Sequence, residues 1–398
     1  MKFSDRITRM PESPIRKLVP HAEEAKRRGI SVYHLNIGQP DIQTPKQVLD
    51  AVKNISVDVI AYGPSEGLSS YREALPSYYR ANGIDLSPSD ILVTTAGSEA
   101  LLFAVMAVCD DGDEVIVPEP YYANVNGFAG MAGVSLVPVR TSIEDGFALP
   151  EAKAFEAAVT ERTRAIMICN PNNPTGAVYT REALEELAEI ARKHDLFLIA
   201  DEVYREFVYD GEVHTSLLTL PGTEELAIVV DSVSKRYSAC GARIGALISR
   251  NHDLLAQVLK MAQARLCPPT IEQIAAEAAV TLDQEFFQQV TDEYTRRRDR
   301  VFSSLSSLPG VVCRKPRGAF YIMAKLPVAS AEDFAVFMLR DFSVEGKTVM
   351  LAPAEGFYAS PGAGRDEVRI AYVLNEHDLE DAMHILGKGL EAYGKRQQ

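Results

Sequence analysis

Short runs of apolar residues recur through the middle of the chain, and a polar cluster follows many of them. Ile91-Leu92-Val93-Thr94, Glu114-Val115-Ile116-Val117, Ser135-Leu136-Val137-Pro138-Val139, Ala165-Ile166-Met167-Ile168-Cys169, Leu196-Phe197-Leu198-Ile199-Ala200 and Ala227-Ile228-Val229-Val230 predict strands. They do not alternate apolar with polar, so both faces are expected to be buried. Helical patterns lie between them. Residues 181–193 put Leu184, Leu187, Ile190 and Ala191 on one face, and a helical run is expected from Glu99 to about Val108. Strands alternating with helices imply an α/β fold: a large domain with a mostly parallel sheet flanked by helices. From about residue 285 the character changes. A charged helical stretch (292–300), the strand-like Val311-Val312 and Phe320-Tyr321-Ile322-Met323, and helices near 331–341 and 377–393 predict a smaller α+β domain. The first forty-odd residues carry Pro11, Pro14, Pro20 and Pro40 and read as an arm outside the central sheet. The expected division is a large domain over 45–285, with 1–44 and 286–398 forming the arm and small domain.

Composition narrows the function classes. The 398 residues include 55 Asp and Glu against 41 Lys and Arg, a formal charge of −14. That balance repels phosphate backbones and argues against nucleic acid as a partner. No run of about 18 apolar residues is present, which argues against a membrane span. The five cysteines (Cys109, Cys169, Cys240, Cys267, Cys313) show no metal-ligand spacing, so no metal is expected. An odd number of thiols, and a start without an apolar run, fit reduced cysteines in the cytoplasm.

In sheets of this kind ligands bind beyond the carboxyl ends of the strands, where the polar clusters fall. Lys235 follows one strand in Ser232-Val233-Ser234-Lys235, with Arg243 eight residues on, between Gly241 and Gly245. Two hydroxyls, a guanidinium and close-approach glycines suit a phosphate monoester. A lysine beside such a site suits a Schiff base to pyridoxal phosphate. Taken alone, Lys235 would be a surface cation. Asp201, at the end of another strand, is either a helix cap or a buried carboxylate that keeps a ring nitrogen protonated. Tyr204 lies three residues on, within reach of a ring hydroxyl. Asn170-Pro171-Asn172-Asn173-Pro174-Thr175-Gly176 is rich in turn formers, yet it ends a buried strand and Asn173 offers amide donors. Gly97 and Ser98 open a helix whose N–H groups suit a phosphate. Tyr122, after Pro118-Glu119-Pro120, is placed either for packing or for stacking on a ring.

These pieces, in this order, resemble the fold-type I, class I aminotransferases, the aspartate aminotransferase family. The likeness runs from Asn36-Ile37-Gly38-Gln39-Pro40-Asp41 to Arg369-Ile370-Ala371-Tyr372. The resemblance implies that Lys235 carries the Schiff base and shuttles a proton, Asp201 pairs with the pyridinium nitrogen, and Asn173 and Tyr204 bond the ring hydroxyl. Ser232, Ser234, Arg243, Gly97 and Ser98 would hold the phosphate, with Tyr62 reaching a phosphate across a homodimer interface. Arg369 would clamp the substrate carboxylate, and Gly38 would pass its backbone close to the substrate. Many relatives carry Trp where this chain has Tyr122 and Ala242, and the chain has no Trp at all. The implied reaction moves an amino group from an L-amino acid to a 2-oxo acid such as 2-oxoglutarate, by a ping-pong cycle. A carbon–sulfur lyase of the same fold, or a non-catalytic regulator domain that binds the cofactor, would use the same cofactor residues. For reading the substrate side chain, Arg16 and Arg265 are the candidates, each weighed against an ordinary surface or interface charge.

Overall fold

The computed structural model describes residues 1–397. Its largest sheet has seven strands in the order Ile91–Thr94, Gly245–Ile248, Ala227–Ser232, Phe197–Asp201, Thr163–Cys169, Glu114–Glu119 and Ser135–Arg140. All neighbours are parallel except Gly245–Ile248, which runs antiparallel to the strands on both its sides. The expected strands are present, and Ile91–Thr94, Glu114–Glu119 and Ala227–Ser232 are buried along their whole length, as unbroken apolar runs require. Helices Ala96–Val108 and Arg181–His194 cover parts of the sheet. Arg181–His194 buries Leu184, Leu187, Ile190 and Ala191, the stripe expected from spacing.

Gly245–Ile248 was not expected, because a four-residue strand opening on glycine carries little pattern. It matters for the site. Its reversed direction sets Gly245 beside Thr94 and Ser232, at the carboxyl ends of the neighbouring strands, so Arg243 arrives at the same edge. The approach is close. A Cβ on Gly245 would lie 2.5 Å from the Ala96 carbonyl carbon, 2.6 Å from Asp231 O and 2.7 Å from Gly97 N, so only glycine fits.

A four-stranded antiparallel sheet follows, in the order Ala352–Pro353, Glu367–Ala371, Tyr321–Lys325 and Val312–Cys313. The helices Gln284–Ser306, Ala331–Arg340 and Glu376–Gln397 accompany it. The N-terminal segment is more regular than an arm. Val19–Arg27 is a helix with Pro20 in its first turn, where a proline costs nothing because that N–H has no helical partner. Ser31–His34 pairs in parallel with Lys347–Met350. The segment stays outside the central sheet.

Candidate active site

The polar clusters converge. A cavity of about 500 Å³ is lined by Gly38, Gly97, Ser98, Tyr122, Asn173, Asp201, Tyr204, Ser232, Ser234, Lys235, Arg243 and Arg369. These are all of the expected site residues except Tyr62, which stands 81% exposed elsewhere on the chain surface. A larger groove of about 920 Å³, lined by Glu206 and Asp210 among others, contains no lysine. Volume is therefore not what marks the site.

Lys235 sits in a four-residue helix, Val233–Arg236, capped by Ser232, whose Oγ accepts from Ser234 N at 3.2 Å. Its Nζ donates to Gly38 O at 2.9 Å. Burial, aided by the charges of Arg369 and Arg243, lowers its pKa against the opposing pull of Cys240 and Asp201, which favours a nucleophilic amine. Ser232 Oγ lies 2.8 Å from Ser234 Oγ and donates to Ile244 O at 3.0 Å. Arg243 holds a left-handed backbone (φ 53°) and donates to Cys240 O at 3.0 Å. Gly97 and Ser98 lie in the first turn of the helix Ala96–Val108, where free N–H groups are concentrated.

Asp201 is a buried carboxylate without an ion-pair partner among the described residues. Its one hydrogen bond comes from Val203 N at 3.3 Å. Burial pushes its pKa up to about 7, against the lowering effects of that N–H and of Lys235. Asn173 Nδ2 donates to Tyr204 Oη at 3.4 Å, and burial raises the Tyr204 hydroxyl well above the usual tyrosine range. Tyr122 is pushed up to about 12, first by burial and then by Asp201.

Arg369 is 1% exposed. It donates to Asn173 Oδ1 at 2.9 Å and Asn36 O at 2.5 Å, and its Nε is buried with no partner. No carboxylate of the described residues pairs with it. The rings of Tyr321 and Phe357 flank it, their centroids 4.4 and 5.0 Å away. A buried guanidinium held by neutral acceptors is a receptor for an anion.

The match with known proteins decides what this geometry serves. The family model for aminotransferase class I and II matches residues 30–386. The chain belongs to that family. Similar proteins include the aspartate/prephenate aminotransferase of Thermus thermophilus, 33% identical over 96% of this chain and 97% of that one. The aromatic-amino-acid aminotransferase 2 of Thermococcus litoralis is also 33% identical, over 98% and 99%. Among solved structures, the alanine aminotransferase of Pyrococcus furiosus superposes with a TM-score of 0.89 at 32% identity, covering 98% of this chain and all of that one. The protein is thus a transaminase of aspartate aminotransferase type with the fold of pyridoxal-phosphate transferases of fold type I. It depends on pyridoxal phosphate and acts on small molecules. No helix of the described residues is long and apolar enough to cross a membrane.

The aminotransferase's cavity fits that cofactor on its own terms. An uncompensated buried carboxylate suits a protonated ring nitrogen, a depressed lysine suits an aldehyde, and a helix start with two serines and an arginine suits a phosphate. Arg369 remains for a carboxylate.

The cavity also contains groups that sequence reasoning missed. Tyr321 Oη lies 2.8 Å from Tyr204 Oη, and its ring sits diagonally across the strand pair from Arg369, since Tyr321 faces Ala371 and Met323 faces Arg369. A Cβ on Gly38 would fall 1.8 Å from Tyr321 Oη, which explains the glycine. Cys240 lies 3.9 Å from Lys235 Nζ. The aminotransferase also separates the two candidate specificity arginines. Arg16 lines the cavity. Arg265 does not; it donates to Ser65 O at 3.1 Å and lies 3.5 Å from Glu99.

Proposed function

We propose that this aminotransferase transfers the amino group of an acidic L-amino acid to 2-oxoglutarate, with Arg16 meeting the distal carboxylate of the substrate. The observation carrying the reading is that Arg16, which pairs with no carboxylate among the described residues, lines the same cavity as Lys235 and Arg369. Two of the cavity's cations, Arg369 deep and Arg16 on the N-terminal segment, match the two carboxylates of a dicarboxylic substrate. A charge-assisted hydrogen bond is worth about 1.5–3 kcal/mol, so Arg16→Ala should raise KM for aspartate and 2-oxoglutarate about 10- to 100-fold. KM for alanine should stay nearly unchanged. An equal loss for all donors would refute the assignment.

Pyridoxal phosphate, when bound, supplies an electron sink that lets the substrate Cα–H bond ionise. The chain's own residues do the rest. Arg369 orients the α-carboxylate through its planar fork. Lys235 Nζ would anchor the cofactor and, once freed, hold and pass on the proton from the substrate Cα. Asp201 would keep the ring nitrogen protonated. Asn173 and Tyr204 would bond the ring hydroxyl, Tyr122 would cover the ring, and Ser232, Ser234, Arg243 and the N–H groups of Gly97 and Ser98 would hold the phosphate. Gly38 would pass its backbone close to the substrate.

The reading also assigns a homodimer in which Tyr62 completes the neighbouring site. Val59, Ile60, Tyr62 and Leu266 are exposed, and Thr270 Oγ1 donates to Ala61 O at 3.5 Å, tying their segments together. Such an apolar surface suits burial against a second copy. Sedimentation finding a fully active monomer would overturn this. The division into a large domain over 45–285 and a small one from both chain ends is supported by the pairing of Ser31–His34 with Lys347–Met350. Five unpaired cysteines support a cytoplasmic setting.

A further inference from the structure

Two fully buried charges stand immediately outside the Ser232–Lys235 turn, and transamination uses neither directly. Asp231 precedes the turn in its strand, and Arg236 ends the short helix Val233–Arg236. The arginine donates twice to the carboxylate, Nη1 to Oδ1 at 2.6 Å and Nη2 to Oδ2 at 2.9 Å. Both side chains are at most 3% exposed. Asp231 also accepts from Tyr79 Oη at 2.5 Å and from Ser232 N at 2.8 Å. Arg236, with Arg205 beside it, holds the Asp231 carboxyl well below the usual carboxylate range in spite of burial. The guanidinium of Arg236 lies 4.3 Å from the ring centroid of Tyr78 and 5.0 Å from that of Tyr237.

Stability alone gives no reason for this pair. Replacing a buried ion pair with apolar groups is often neutral or stabilising, whereas removing one partner is costly. Geometry does give a reason. A four-residue helix cannot hold itself. Ser232 caps its start, and a rigid two-bond fork from Arg236 to Asp231 ties its end back to the strand. The fork sets the spacing between the residues on either side of Lys235. Asp231 also reaches the phosphate cradle, since its carbonyl oxygen packs at the glycine-only contact formed by Gly245 and Gly97. We propose that the Asp231–Arg236 pair is a positioning clamp that fixes Lys235 relative to the phosphate cradle. The proposal rests on the reading of Lys235 as the reactive lysine.

The test uses holoenzyme and two variants, Arg236→Lys and the neutral pair D231N/R236M, which removes both charges of the pair together. The unfolding midpoint, kcat, the pH midpoint of the bound cofactor's absorbance change, and the peptide labelled by borohydride reduction are read for each. A misplacement of about 1 Å can cost about 100-fold in rate. D231N/R236M should therefore unfold near the wild-type temperature with kcat lowered about 10- to 100-fold and the pH midpoint displaced. Arg236→Lys, which keeps the charge and loses the fork, should show a smaller change of the same kind. If kcat and the pH midpoint stay at wild-type values in variants that fold, the clamp is refuted. Should the neutral pair not fold, Arg236→Lys decides by the same criterion. Label on a lysine other than Lys235 in the wild-type enzyme would overturn the lysine assignment and the clamp together. Label on Lys235 with unaltered variant kinetics would overturn the clamp alone.

Discussion

Replacing Asp201 with asparagine should stabilise the cofactor-free enzyme while disabling the loaded one. In the folded chain this carboxyl has one N–H donor, Val203, and no ion-pair partner among the described residues, and burial lifts its pKa from 3.8 to about 7. The folded state therefore holds its proton where the unfolded state has released it. Stability from this group is present below the unfolded value and is lost as pH rises through the folded one. At about 1.4 kcal/mol per pKa unit, a shift of about three units is worth about 4 kcal/mol by pH 8. Asparagine accepts the same hydrogen bond without ionising. Urea unfolding of the apoenzymes should therefore show the variant about as stable as wild type at low pH and up to about 4 kcal/mol more stable near pH 8. With cofactor, the variant should lose at least about 100-fold in kcat, the usual cost of removing a preorganised charge. Unfolding curves that coincide across this pH range would show that Asp201 is not an uncompensated buried acid, and the case for its role would fall.

Two further substitutions probe the cavity. Arg369→Lys removes the planar fork and the donors to Asn173 and Asn36 together, and should lower kcat/KM for every amino acid by about 10- to 100-fold. A loss confined to acidic donors would transfer the carboxylate role to another residue. Gly38→Ala drives a methyl into Tyr321 Oη, 1.8 Å from the ideal Cβ position. Displaced Tyr321 and Lys235 should cut activity by about 100-fold, and Gly38→Ala/Tyr321→Phe should recover part of it. An unimpaired Gly38→Ala enzyme would contradict the packing.

The sequence carries much of the site because this fold places ligands where strands end. Lys235, Asp201 and Asn173 follow apolar runs directly, so their position along the chain is also their position in space. Tyr321 and Arg16 are different. Tyr321 reaches Arg369 only through the register of two strands more than forty residues apart, and no local pattern states that register. Arg16 and Arg265 look alike as isolated charges, and only tertiary packing puts one at the cavity and ties the other to Ser65 and Glu99. The prolines of the N-terminal segment misled in one respect. Pro20 opens a helix rather than preventing one, because a first-turn proline lacks only an N–H that the helix does not use. The strand Gly245–Ile248 was too short to register, yet it brings Arg243 to the edge where Thr94 and Ser232 end their strands.

The central claim is amino transfer through Lys235 in a cavity with two carboxylate-binding cations. The most direct measurement is a half-reaction. Aspartate alone is added to the holoenzyme while cofactor absorbance, released 2-oxo acid and released ammonia are followed. The account predicts conversion of the cofactor to its pyridoxamine form, with one oxo acid released per site and no ammonia. Added 2-oxoglutarate should then restore the starting spectrum. An unchanged spectrum, or steady release of ammonia without an acceptor, would contradict it.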